Sequence, residues 1–97
     1  MVTRSQTLVA YDISNNKVSR KTRELLERLG LRALQKSIYW GLLYPAESRY
    51  LLQKVQELLE KTDKFFLIKG TWEGQLKEHS FGYQEEDLII DTTHYVL

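Results

Sequence analysis

From Thr7 to Ile13 the chain reads Thr-Leu-Val-Ala-Tyr-Asp-Ile, nearly continuously apolar and β-favouring, the pattern of a central strand covered on both faces. Ser14-Asn15-Asn16 follows, side chains that bond nearby backbone N–H groups and so favour turns and helix N-caps. Val18, Thr22, Leu25, Leu26 and Leu29 then recur at three- and four-residue spacing, and Gly30 supplies a stop. This spacing predicts a helix over Lys17–Leu29. Leu34 to Leu43 is β-rich and reads as one bent strand or a tight pair, with Ser37 or Gly41 marking the irregularity. Pro45 suits the first turn of a second helix, whose apolar face is Leu51, Leu52, Val55, Leu58 and Leu59 and which extends to about Lys61. Lys64–Lys69 is a further strand. Gly70 to Glu86 has no clear period and is expected to be loop, with room for a short strand near Trp72. Leu88-Ile89-Ile90 and His94-Tyr95-Val96-Leu97 read as one or two closing strands.

The order β-α-β-(β)-α-β fits one α+β domain over 1–97, a ferredoxin-like sandwich with two helices on one face of an antiparallel sheet. The strand-like pieces at the end are surplus to that plan. An apolar ending of this kind either pairs with another chain or returns to its own sheet, and topology does not choose between them.

With 97 residues and 42% apolar composition the chain can bury a modest core, and a second copy would add to it. It has no cysteine, which removes disulfides, thiolate metal sites and a thiol nucleophile from consideration. No stretch approaches the ~18 apolar residues of a membrane span, and the first residues lack the apolar run of a signal peptide. The expectation is a cytoplasmic protein with no membrane partner. The net charge of +1 hides an asymmetry: residues 1–36 carry +5 and residues 37–97 carry −4. Attraction to phosphates is thus a local property of the first third.

No catalytic triad, phosphate-binding loop, dinucleotide fingerprint or zinc spacing is present, and His79 and His94 lack a second histidine at ligand spacing. Asp12 breaks its local rule, being a carboxylate near the end of an apolar strand; capping and function are both open to it. One carboxylate holds Mg²⁺ poorly, because that ion takes octahedral oxygen ligands. No second Asp or Glu lies within the first 23 residues, so a metal reading requires an identical subunit to bring a second Asp12 to the same place. Beside it, Lys17, Lys21 and Arg28 fall within roughly 40° on the first helix, at about 100° per residue, next to Arg20. They form either a phosphate-facing stripe or a solvated face with partners such as Arg20–Glu24 and Arg23–Glu27. The aromatic residues of Lys36-Ser37-Ile38-Tyr39-Trp40 suit base stacking or a core.

Taken together, Leu8-Val9-Ala10-Tyr11-Asp12-Ile13, the basic first helix, Gln35-Lys36-Ser37-Ile38-Tyr39, Pro45-Ala46-Glu47 and Phe65-Phe66-Leu67-Ile68 resemble CRISPR-associated protein two, the endoribonuclease family of CRISPR spacer acquisition. The virulence-associated protein D ribonucleases share the strand-end aspartate, but the QKSIY segment favours the CRISPR family. The resemblance implies a homodimer whose C-terminal segment, about 86–97, packs on the partner subunit. It also implies Mg²⁺ or Mn²⁺ at Asp12, and cleavage of single-stranded RNA or double-stranded DNA with Ser37 and Tyr39 near the scissile phosphate. Lys17, Arg20, Lys21, Arg28 and Arg32 are then the expected nucleic-acid contacts. Ala33 and Ser19 stand where some family nucleases carry arginine. A second role implied by the resemblance is that of a scaffold, in which the dimer bridges copies of an integrase (CRISPR-associated protein one) and cradles a spacer duplex.

Overall fold

A computed structural model describes residues 3–89. β1 (Ser5–Asp12) leads through α1 (Asn16–Arg28) to β2 (Arg32–Gln35) and β3 (Ile38–Leu43). α2 (Pro45–Leu58), β4 (Lys64–Lys69), the short α3 (Glu73–His79) and a 3-10 turn (Glu85–Leu88) follow. The four strands form one antiparallel sheet in the order β2-β3-β1-β4, with β1 pairing to both β3 and β4. This is the ferredoxin-like α+β arrangement expected from the element order.

Local chemistry fixes the first helix at both ends. Asn15 accepts from the amides of Lys17 (2.8 Å) and Val18 (3.1 Å), satisfying donors that lack an intrahelical partner. At the other end Gly30 has φ 90°, and the Gly30 and Leu31 amides donate to the carbonyls of Glu27 (3.0 Å) and Leu26 (3.1 Å). That is a Schellman stop, which needs a left-handed residue. In α2, Pro45 takes the first position, and Glu47 accepts from the Tyr44 amide at 2.8 Å. α2 ends at Leu58, three residues short of the expected Lys61. There the Asp63 carboxylate accepts from the Glu60 amide at 2.9 Å while the Asp63 amide donates to the Glu60 carbonyl at 3.0 Å. This turn competes with another helical turn for the same groups.

Strand alternation divides the sheet into two faces. Val9, Tyr39 and Leu43 join Leu25, Leu26, Leu31, Leu51 and Val55 in the core beneath α1 and α2, with Tyr11, Phe65 and Leu67 packed against it. Each fully buried aliphatic side chain there contributes roughly 1.5–3 kcal/mol. β2 and β3 are a tight pair: the turn between them holds Ser37 at φ 66° and a bulge interrupts the register between Ala33 and Gln35.

The opposite face carries a feature the sequence pattern concealed. Residues 70–86 are loop only in part: α3 occupies the middle of this stretch, the 3-10 turn begins at its end, and Leu88 belongs to that turn rather than to a strand. α3 buries none of its own side chains. It is started by a distant residue, since Gln6 Oε1 accepts from the amides of Trp72 (2.7 Å) and Glu73 (3.2 Å). Further on, the Tyr83 hydroxyl donates to Gln35 (2.8 Å) and Arg32 donates to the Ile89 carbonyl (3.3 Å). Residues 72–89 thus form a strap tied to β1 and β2 across the outer face. Trp40, which stands outside the helix-side core, is only 1% exposed under it. The expected closing strand at 94–97 and Ile90 lie outside the described residues.

Two stability outcomes follow from these contacts. A Cβ at Gly41 would sit 2.8 Å from Leu31 Cδ2 and 3.3 Å from the Gly30 carbonyl oxygen, so Gly41→Ala lowers unfolding free energy by about 1–3 kcal/mol in chemical denaturation. Gln6→Ala leaves the first amides of α3 without their acceptor, costing about 1 kcal/mol locally. Hydrogen exchange should accelerate at Trp72 and Glu73 and not in α1.

Candidate active site at the end of the central strand

Asp12 is the last residue of β1. Pleating turns Tyr11 toward the helices and Asp12 toward the outer face, in line with Ala10 and Leu8. Capping of α1 belongs to Asn15, and no side-chain hydrogen bond or ion pair ties the Asp12 carboxylate to another described residue. It is exposed to solvent. Across the ladder, Asp12 is paired in register with Lys64, Ala10 with Phe66, and Leu8 with Ile68. Phe66 is 51% exposed and Ile68 42%. Leu8 lines a cavity of about 250 Å³ with Trp72, Gln75, Leu76 and His79 of the strap, whereas Ala10, Phe66 and Ile68 form an apolar strip that the strap leaves open and that ends at a carboxylate and an ammonium. Lys64 was not singled out by sequence reasoning; the signal that finds it is the β1–β4 register, which joins residues 52 positions apart.

The other expected site residues divide between the two faces. Ser37 comes to the same end of the sheet as Asp12, where its carbonyl accepts from the Tyr11 amide at 3.1 Å and extends the β1–β3 ladder. Tyr39 does not join them. Its ring is buried on the helix side, stacked on Tyr11 with centroids 6.3 Å apart. Burial pushes the Tyr39 hydroxyl up to about 12, aided by Tyr11 and by Glu27, with Arg23 opposing. It is a neutral core group at ordinary pH.

The expected cations also separate. Arg20 pairs with Glu24 at 3.6 Å, and Arg23 pairs with Glu27 at 3.8 Å, both between exposed groups worth little. Lys21 and Arg28 line a groove of about 370 Å³ between α1 and α2, together with Lys54, Tyr50, Glu24 and Glu57. Lys17 is exposed in the first turn of α1. Arg32 lies on the strap side at the β2 edge. Four of the five thus share the helix layer, and the fifth does not.

A sheet ordered β2-β3-β1-β4 beneath two helices makes this a ferredoxin-like α+β protein, here with a free carboxylate at the tip of β1, and comparison with known proteins resolves it further. Residues 5–76 match the family described as CRISPR associated protein Cas2. The chain is 34% identical over 86 residues to the CRISPR-associated endoribonuclease Cas2 1 of Francisella tularensis subsp. novicida (strain U112), covering 89% of each chain. It is 26% identical over 89 residues to the CRISPR-associated endoribonuclease Cas2 of Thermofilum pendens (strain DSM 2475 / Hrk 5), covering 92% of this chain and 96% of that one. Its fold is similar to that of Streptococcus pyogenes Cas2, with a TM-score of 0.68 at 22% identity over 79% of this chain and 99% of the other. This chain belongs to the Cas2 family. No helix among the described residues is long and apolar enough to cross a membrane.

The raised Tyr39 hydroxyl gives a signed pH effect. The folded state keeps its proton above the usual tyrosine value near 10, so the stabilisation is full below that pH and is lost as pH rises from 10 toward 12. The slope has a ceiling of about 1.4 kcal/mol per pH unit. Denaturation of wild type and Tyr39→Phe should diverge in this window, the phenylalanine variant losing less stability between pH 9 and about 12.

Proposed function

We propose that two copies of this chain pack through the open strip on the outer face and act as a Mg²⁺- or Mn²⁺-dependent endonuclease. The substrate is single-stranded RNA or double-stranded DNA, and the setting is CRISPR spacer acquisition beside an integrase partner, CRISPR-associated protein one. The observation that supports this reading is the unpartnered Asp12 carboxylate at the end of the strip formed by Ala10, Phe66 and Ile68. An apolar strip rimmed by charge favours a self-complementary two-fold contact. With its two-fold axis running along the strip, such a contact brings Asp12 of one copy toward Asp12 of the other.

The residues fit a divalent ion only as a pair. Among the described residues no group of three or more His, Asp or Glu side chains converges to hold a metal, whereas Mg²⁺ is commonly satisfied by one or two carboxylates with water and phosphate oxygens. Asp12 from each copy would hold the ion, whose chemistry when bound is to polarise the phosphate and lower the pKa of bound water. Ser37 fixes the neighbouring backbone through the Tyr11 amide. Lys17, Lys21 and Arg28 supply cations along α1 for the phosphates of a longer nucleic acid. The β4 edge has no pairing partner among the described residues, so it is open to residues 91–97 of a second copy.

The lack of a complete ligand set among the described residues of one chain also favours a second reading, a non-catalytic dimeric scaffold that grips a spacer duplex and bridges integrase molecules. One comparison separates the two. In the nuclease reading, Asp12→Ala lowers metal-dependent cleavage by at least about 100-fold, the upper range for losing even a supporting residue around a metal. Its dimer mass by light scattering is unchanged. Undiminished cleavage by that variant removes Asp12 from the chemistry. In the scaffold reading, deleting Asp91–Leu97 abolishes integrase co-elution while Asp12→Ala preserves it.

A further inference from the structure

We propose that Lys64 is the substrate-binding cation of the Asp12 site, gripping a non-bridging oxygen of the nucleic-acid phosphodiester that Asp12 addresses. This rests on the nuclease reading above and adds a residue to it. Asp12 and Lys64 are register partners at the end of the β1–β4 ladder, and directly opposed residues in an antiparallel pair place their Cβ atoms about 4.5–5.5 Å apart on one face. Both are exposed. Opposite charges so placed usually close into an ion pair, yet neither side chain is bonded to any other described residue. The nearest competing carboxylate by sequence, Asp63, is already engaged. One oxygen accepts from the Glu60 amide at 2.9 Å and the other from the Ser14 amide at 3.4 Å. Asp63 thereby ties the α2–β4 turn to the loop that follows Asp12 and leaves the Lys64 ammonium unneutralised.

A carboxylate and an ammonium held side by side without pairing fit a ligand that carries both counter-charges. A phosphodiester with its divalent ion is such a ligand: the anionic oxygen takes the ammonium, and the cation takes the carboxylate. Lys64 also opens an edge strand next to the exposed Phe66. A phosphate bound there lies at the rim of the strip rather than beneath it. A lysine serves this role as a point charge with rotatable donors, so arginine is an adequate replacement where bidentate geometry is not needed.

The alternative role for Lys64 is to neutralise Asp12, and the two roles predict opposite signs. Removing a phosphate-binding cation weakens nucleic acid binding; removing a neighbouring positive charge that repels the metal tightens Mg²⁺ binding and leaves nucleic acid binding alone. The test measures binding of single-stranded RNA and of duplex DNA in EDTA, and cleavage across a Mg²⁺ titration, for wild type, Lys64→Ala, Lys64→Arg and Asp12→Ala. The expected result is roughly tenfold weaker binding for Lys64→Ala, a salt slope smaller by about 1, a raised KM and restoration by Lys64→Arg. The RNA and DNA arms identify which phosphodiester it serves. Unchanged binding by Lys64→Ala, or a lower Mg²⁺ requirement at unchanged KM, overturns the proposal. Cleavage that persists in Asp12→Ala defeats the nuclease reading instead, and the binding arm decides Lys64 without any turnover.

Discussion

The two-residue period of β1 is the constraint on which the rest depends. β1 lies inside the sheet, paired with β3 on one side and β4 on the other, and every second side chain, Thr7, Val9 and Tyr11, is committed to the helix layer. The intervening residues, Gln6, Leu8, Ala10 and Asp12, are thereby delivered to the other face in a straight row. A slip of one residue would turn Asp12 toward the helix-side core that Tyr11 packs against, where an unpaired carboxylate is costly. The same pleat that builds the core thus places the carboxylate in water at the strand tip.

That row is used differently along its length. Gln6 gives up its side-chain oxygen to start α3, which brings the strap back over the sheet and shelters Trp40. α3 also faces Leu8 across a cavity, whereas Phe66 and Ile68 on β4 stay apolar and open. The division gives the outer face one half satisfied within the chain and one half with exposed apolar area of the kind that marks an interaction surface. Tyr39 shows the cost of ignoring pleat. It is two residues from Ser37 in sequence, but its ring belongs to the core and its raised hydroxyl pKa follows from that burial.

Membership of the Cas2 family rests on two-thirds or more of the chain, including β1, the basic helix and the three later strands. The family match ends at residue 76, within α3, while the strap continues to Ile89. The strap's anchors, Gln6, Gln35 and Arg32, are nonetheless contributed by strands inside the matched region. The open strip and its charged tip likewise lie wholly within it.

Elements with their own local signals were legible in the sequence. The Asn15 cap, the Gly30 stop, the Pro45 start and the 64–69 strand each depend on residues within a few positions, so periodicity and end chemistry sufficed to place them. The ferredoxin-like order and the exceptional character of Asp12 followed from the same pattern. Other features depended on partners far away in sequence. α3 has no apolar face of its own and exists because Gln6, some 66 residues earlier, caps it. Tyr39 and the α1 cations could be counted from sequence, but only packing sorted them onto faces. Lys64 stands beside Asp12 solely because two strands 52 residues apart chose that register. Chain-local hydrogen bonding and hydrophobic period are written residue by residue; cross-strand neighbours are settled only when the sheet closes.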